Sequence, residues 1–334
     1  MKPRLDNINI LLADSDPQIA RVVTLNLREM GFRRVEYVRD ATEALAHITT
    51  KPVDILITEW LLEPMDGIEL VRHLRLSRNS PNRSIPIIML TGKGEYVDVT
   101  TARDVGITEF LVKPFTVQTL FDRLEHLVDH PRPFILSENF AGPDRRRKGA
   151  PPDGMEKRVT RPREGKKFGK HLPAPEKTPQ IFPADHEIKR AIGLIGPLAT
   201  IITPDMLQAA QTALEGMQDE TLGWVREDLK NLETAFIEIQ KTPNVEKLND
   251  MKAATMSIKS RAGTFGFTIP SQIARMLYLF LTTHYALARP VHNQVVHQFV
   301  ESLKVIFAND IKGETGIASE LVKELEELVK RTAK

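Results

Sequence analysis

The chain has 334 residues and no cysteine, which gives it roughly the length of two domains and excludes disulfides, thiol nucleophiles, zinc ribbons and iron–sulfur clusters. Apolar residues make up 41% and charged residues 27%, ordinary for a globular protein, and 46 Lys/Arg against 44 Asp/Glu leave a net charge of +2. No apolar run approaches the roughly 18 residues of a membrane span, and the start, Met1-Lys2-Pro3-Arg4-Leu5-Asp6, lacks the apolar core of a secretory signal, so a cytoplasmic location is expected.

The N-terminal part alternates strand and helix. Residues 8–13 are a short continuous apolar run, the pattern of a strand buried on both faces. Pro17 then opens a helical pattern of Ile19, Val22, Val23, Leu27 and Met30 that stops at Gly31. Further strands are predicted over 35–38, 53–58, 85–90 and 109–112, with helices over 41–48, 68–76, 97–105 and 117–128. Such alternation implies a parallel sheet with helices on both faces, whose site lies beyond the carboxyl ends of the strands. Asp14, Glu59, Thr91 and Lys113 stand at those ends, so two carboxylates, a hydroxyl and an ammonium converge on one crevice.

From Ala141 to Ala184 there are 12 Lys/Arg against 5 Asp/Glu, with eight prolines and two aromatics. That composition predicts a disordered, extended linker over 131–184 between a first domain at 7–130 and a second at 185–332. Its basic groups, from Arg145-Arg146-Arg147-Lys148 to Lys166-Lys167, suit phosphates or anionic lipid headgroups. Phe168 is the only aromatic among them, so base stacking is not supported and a solvated spacer is the favoured reading.

The last third is helical. Leu222, Val225, Leu229, Leu232, Phe236 and Ile239 recur three and four apart, a one-sided stripe ended by Pro243. Leu248, Met251, Thr255, Ile258, Ala262 and Phe265 mark a second helix, and Ile273, Leu277, Phe280, His284 and Leu287 a third. Val295, Phe299, Leu303 and Ile306 give a fourth, and 321–329 a charged last one. Stripes with short connections predict an antiparallel bundle, with His284 a hydrogen-bonded core residue.

Four stretches carry a family resemblance: Ile10-Leu11-Leu12-Ala13-Asp14-Ser15-Asp16-Pro17, Met65-Asp66-Gly67, Ile87-Ile88-Met89-Leu90-Thr91-Gly92 and Phe110-Leu111-Val112-Lys113-Pro114-Phe115. In order and spacing they resemble the receiver domain of two-component response regulators. The resemblance implies a flavodoxin-like, doubly wound sheet of five parallel strands in which an aspartate takes a phosphoryl group from a histidine kinase. It also implies a magnesium ion that neutralises the phosphoryl charge, a lysine (Lys113) on a phosphoryl oxygen, and a relay through Thr91 and Phe110.

Two departures from that pattern bear on the chemistry. The phosphoacceptor position is Glu59, and the second residue of the acidic pair is Ser15, beside Asp14 and Asp16. A nucleophile must lie in line with the donor phosphorus, and about an ångström of misplacement costs about a hundredfold. Magnesium demands near-ideal octahedral oxygens, which leaves Asp14 the one retained ligand of a degraded site and no cofactor expected. The longer Glu59 either biases the domain toward the phosphorylated state, paired with Lys113 and accepting from Thr91, or fills the pocket of a silent scaffold. Thr91 and Phe110 both turned outward would exclude the first.

In the second predicted helix, Ile258-Lys259-Ser260-Arg261-Ala262-Gly263-Thr264-Phe265-Gly266 resembles the signature of histidine phosphotransfer domains. The family's histidine falls on Met256, three before Lys259, and the turn of about 100° per residue sets Met256 off the apolar stripe, where exposure is expected. The whole reads as a non-enzymatic phosphorelay adaptor docking on a histidine kinase or another two-component protein. The alternative is a receiver-controlled effector that binds nucleic acid or an anionic membrane through the basic linker.

Overall fold

A computed structural model describes residues 4–145, 178–287, 289–309 and 316–332. The chain forms two compact units, one built on the N-terminal sheet and holding the chain to Val112 and from Val117 to Ala213, the other holding Lys113–Thr116 and the chain from Leu214 onward.

The first unit holds the expected α/β fold. Strands β1 (Asn9–Ala13), β2 (Arg34–Val38), β3 (Ile55–Thr58), β4 (Ile87–Thr91) and β5 (Glu109–Val112) alternate with helices α1 (Pro17–Glu29), α2 (Ala41–Thr50), α3 (Gly67–Leu76), α4 (Tyr96–Asp104) and α5 (Val117–Asp129). All strand pairs are parallel, in the order β2-β1-β3-β4-β5, which is the doubly wound arrangement. The three inner strands β1, β3 and β4 are buried almost throughout, which is why they read as unbroken apolar runs.

The linker expectation needs correction at both ends. Strands β6 (Phe134–Ser137) and β7 (Phe140–Pro143) form an antiparallel hairpin, and β8 (Gln180–Phe182) pairs with the other edge of β6, giving the order β7-β6-β8. Phe134, Leu136, Ala141 and Phe182 supply a small core of their own, packed with Leu76 at the end of α3, and this apolar set outweighs the prolines around it. Residues 146–177, with most of the basic charge, lie outside the described residues.

Residues 185–213, expected to open the bundle, instead belong to the first unit. They form α6 (Glu187–Ile192), a 3-10 turn (Leu198–Thr200) and most of α7 (Pro204–Glu215). Ile192, Leu194, Leu198 and Ile202 are buried there.

The second unit consists of α8 (Gln218–Lys241), α9 (Val245–Thr264), α10 (Thr268–Thr283), α11 (Pro290–Ala308) and α12 (Gly316–Thr332). Helix α9 packs between α8 and α10, α11 closes the ring against both of those, and α12 adds to α10 and α11. The bundle core carries Val225, Leu232, Ile258, Ile273, Leu277, Phe299 and Leu303, the stripes read from the sequence.

Candidate functional site

The carboxyl ends of β1, β3 and β4 meet in register, Ala13 beside Thr58 and Thr58 beside Met89. The next residues along the chain, Asp14 and Glu59, therefore emerge side by side, with Thr91 closing β4 opposite Val112 of β5. Asp14, Glu59 and Thr91 are buried, at 1%, 6% and 0% exposure. Lys113, which follows β5 directly, is buried as well.

Local backbone chemistry fixes each acid. Asp14 Oδ1 accepts the Asp16 N–H at 2.9 Å. Asp16 caps the positive N-terminus of α1, its Oδ1 accepting from Gln18 N at 2.9 Å and Ile19 N at 3.3 Å. Ser15 is exposed and its Oγ donates to Leu61 O at 3.2 Å. Glu59 folds its carboxylate back along the chain: Oε1 accepts from Trp60 N at 2.6 Å and from Leu61 N at 3.3 Å.

The Met65-Asp66-Gly67 turn serves the same architecture. Asp66 and Glu69 form a reciprocal capping box at the start of α3. Gly67 lies so close to the strand end that a Cβ there would meet Glu59 O at 2.0 Å, so only glycine lets α3 start against the site.

Thr91 Oγ1 accepts from Lys93 N at 3.3 Å, and Phe110 is half-buried against the main core.

Three residues join the site that sequence reasoning did not single out. Tyr37, near the carboxyl end of the edge strand β2, donates its hydroxyl to Asp14 O at 3.0 Å, and burial together with the Asp14 charge pushes its phenol pKa upward. The Lys93 ammonium sits 4.7 Å from the centre of the Trp60 ring, a cation–π contact linking the loops after β4 and β3. Tyr37 stood in the sequence only as a member of the short strand at 35–38, and Lys93 only as a cation between glycines.

Against the family's octahedral magnesium site, this donor set differs at two positions, Ser15 and Glu59. The Asp14 and Asp16 oxygens accept backbone N–H groups, Ser15 offers a neutral hydroxyl already directed at Leu61 O, and Glu59 Oε1 serves two amides. Among the described residues no group of three His, Cys, Asp or Glu is placed to hold a metal ion.

In the second unit Met256 is buried, at 8% exposure, against the expectation of an exposed position. A single apolar stripe is the wrong template for α9, because the helix has neighbours on two sides and buries Met256, Ser260 and Thr264 besides Met251, Ile258 and Ala262. Lys259 is half-buried, and Arg261 Nη1 bridges both oxygens of Asp228 on α8 at 2.9 Å. His284 is exposed at the end of α10, against the core reading. The buried histidine is His292, whose Nδ1 accepts Ala286 N at 2.8 Å and whose pKa burial holds below the ordinary imidazole range.

No helix among the described residues is long and apolar enough to cross a membrane. The family model described as response regulator receiver domain matches residues 10–125. The chain is 35% identical over 122 residues to chemotaxis protein CheY1 of Helicobacter pylori, covering 35% of this chain and 94% of that protein. It is 28% identical over 123 residues to chemotaxis protein CheY-3 of Vibrio cholerae, covering 37% of this chain and 93% of that one. Among solved structures, chemotaxis response regulator CheY4 of Vibrio cholerae is similar at 30% identity over 36% of this chain and 98% of its own, with a TM-score of 0.33. Through residues 10–125 this chain belongs to the response regulator receiver family, the signalling modules of two-component systems.

Proposed function

We propose that the chain is a two-component signalling adaptor whose receiver is refractory to phosphorylation and which acts by docking, without enzymatic activity of its own. The observation that carries this reading is the posture of Glu59, with Oε1 held by the Trp60 and Leu61 amides inside a buried crevice. A phosphoacceptor must present a lone pair in line with the incoming phosphorus at about 3–3.5 Å. A carboxylate turned back onto its own backbone presents that oxygen elsewhere, and the donor set around Asp14 is a poor seat for the cation that would offset the transferred charge.

Met256 supports the same reading from the other unit. If α9 descends from a phosphotransfer helix, its acceptor position now carries a buried thioether with no ionisable group, so neither unit offers a phosphoryl acceptor at the expected place. What remains is a receiver frame suited to hold a cytoplasmic histidine kinase or another two-component protein irrespective of phosphodonor.

Surface-immobilised full chain titrated with the purified histidine kinases and phosphotransfer proteins of the same cell tests this. Saturable binding to at least one, unchanged by acetyl phosphate, is the expected result. Binding to none, or binding that appears only with a phosphodonor, contradicts it.

A further inference from the structure

Helix α5 ends on two exposed histidines one turn apart. His126 lies in the last turn, and His130 stays on the helical path because its N–H donates to His126 O at 3.0 Å. The two ring centres are 5.6 Å apart, with their planes at 47°. A spacing of four places both side chains on one helix face, the arrangement in which two helical histidines share a metal ion. At a metal–nitrogen bond of about 2.0–2.1 Å, two imidazoles on one ion have their centres roughly 5–6 Å apart.

The inner side of this pair is already arranged. Glu109, the first residue of β5, is buried, and its Oε1 lies 2.7 Å from His126 Nδ1. Arg123 Nη1 and Arg132 Nη2 approach the same carboxylate at 3.5 and 3.9 Å. Two guanidinium groups match the Glu109 charge without a proton on the imidazole. The neutral ring therefore donates its Nδ1–H inward and keeps the Nε2 lone pair for an outer partner. A carboxylate behind a ligating histidine fixes its tautomer and orientation and raises its basicity, as it does around most protein-bound metals. The last carbonyls of α5 add the negative end of the helix dipole, which favours a cation at this turn.

We propose that His126 and His130 form a site for a divalent late transition metal of the Zn²⁺ and Cu²⁺ class, with Glu109 the positioning residue behind His126. Neutral imidazoles suit these borderline ions, whereas magnesium and calcium take oxygen ligands. Among the described residues no third His, Cys, Asp or Glu completes a set of three, so two protein nitrogens hold the ion and water fills its remaining positions. With two protein ligands and the like charges of Arg123 and Arg132 nearby, the ion is exchangeable rather than structural. The site is separate from the Glu59 crevice: Glu109 opens β5 at the amino end of the sheet, and Lys113 follows the strand at the other end.

Titration calorimetry of the full chain with ZnCl₂, beside MgCl₂, tests this. One saturable Zn²⁺ site per chain is expected, with no matching Mg²⁺ site. His126→Ala and His130→Ala should each weaken it by about tenfold or more, and Glu109→Gln by about 10–100-fold through the lost support behind His126. His130 is exposed and makes no ion pair with Glu109, so His130→Ala decides the question even if the buried-carboxylate variant does not fold. His73→Ala, at an exposed lone histidine on α3, should leave the affinity unchanged. Absence of Zn²⁺ binding, binding no tighter than that of Mg²⁺, or a Zn²⁺ site that survives His126→Ala or His130→Ala unchanged would overturn the proposal.

Discussion

At the carboxyl end of the five-stranded sheet, acids take hydrogen bonds from backbone one or two residues away, Glu59 from Trp60 and Leu61 and Asp14 from Asp16. At the amino end, arginines reach across the chain. Arg75 is fully buried and donates through Nε to Gly106 O, 31 residues on, and through its two terminal nitrogens to Arg83 O and Ile85 O. Its guanidinium also lies 5.5 Å from the Phe134 ring centre. Arg132 donates to Thr108 O and Asp144 O in the same manner. The acids of one end thus lean on their own backbone, with single contacts from Ser15, Tyr37 and Lys93 crossing between loops, while the other end ties the added hairpin to the sheet through Arg75 and Arg132.

That contrast is broken most directly by Arg75→Ala. Three buried carbonyls lose their donors and a guanidinium-sized void opens, so stability should fall by on the order of 4 kcal/mol, read as a large drop in the midpoint of chemical denaturation. Next comes Gly106→Ala. Gly106 sits at φ +94 and a Cβ there would meet Ala141 O at 2.2 Å, so strain and clash should cost about 2 kcal/mol and loosen β6 and β7 in hydrogen exchange.

Changes at the carboxyl end should cost less. Glu59→Asp shifts the carboxylate that takes the Trp60 and Leu61 amides and should destabilise the unit by only about 1 kcal/mol. Together with Ser15→Asp it rebuilds an aspartate acceptor beside an acidic pair, and phosphoryl transfer from acetyl phosphate should appear in the variant and not in the native chain. Smallest of all, Lys93→Ala removes a partly exposed cation–π contact worth about 0.5–1 kcal/mol. Trp60 emission, isolated by Trp224→Phe, should then shift to longer wavelength as the ring gains water; an unmoved spectrum would show that the contact holds nothing.

The same contrast explains what the sequence disclosed. Buried parallel strands are continuous apolar runs, and their terminal residues are set by counting, so Asp14, Glu59, Thr91 and Lys113 could be placed without coordinates. The bundle stripes around Val225, Ile258, Ile273 and Phe299 were equally plain, because helical period is a local property. Contacts such as Arg75 with Gly106, or Phe134 with Phe182 across residues 146–177, leave no local mark, and so the hairpin, β8 and α6 went unread. Met256 was misplaced because periodicity gives a direction on one helix but not the number of helices that surround it. The posture of Glu59 was also beyond reach, since the sequence specifies an extra methylene but not whether the carboxylate points outward or back along its own chain.

The central claim is that Glu59 does not accept a phosphoryl group. Intact-mass and peptide mapping of the native chain after incubation with acetyl phosphate and magnesium, beside the Ser15→Asp/Glu59→Asp variant, tests it most directly. The account predicts an unmodified native protein and an adduct on position 59 of the variant alone. A phosphoryl adduct on Glu59 of the native chain would contradict it.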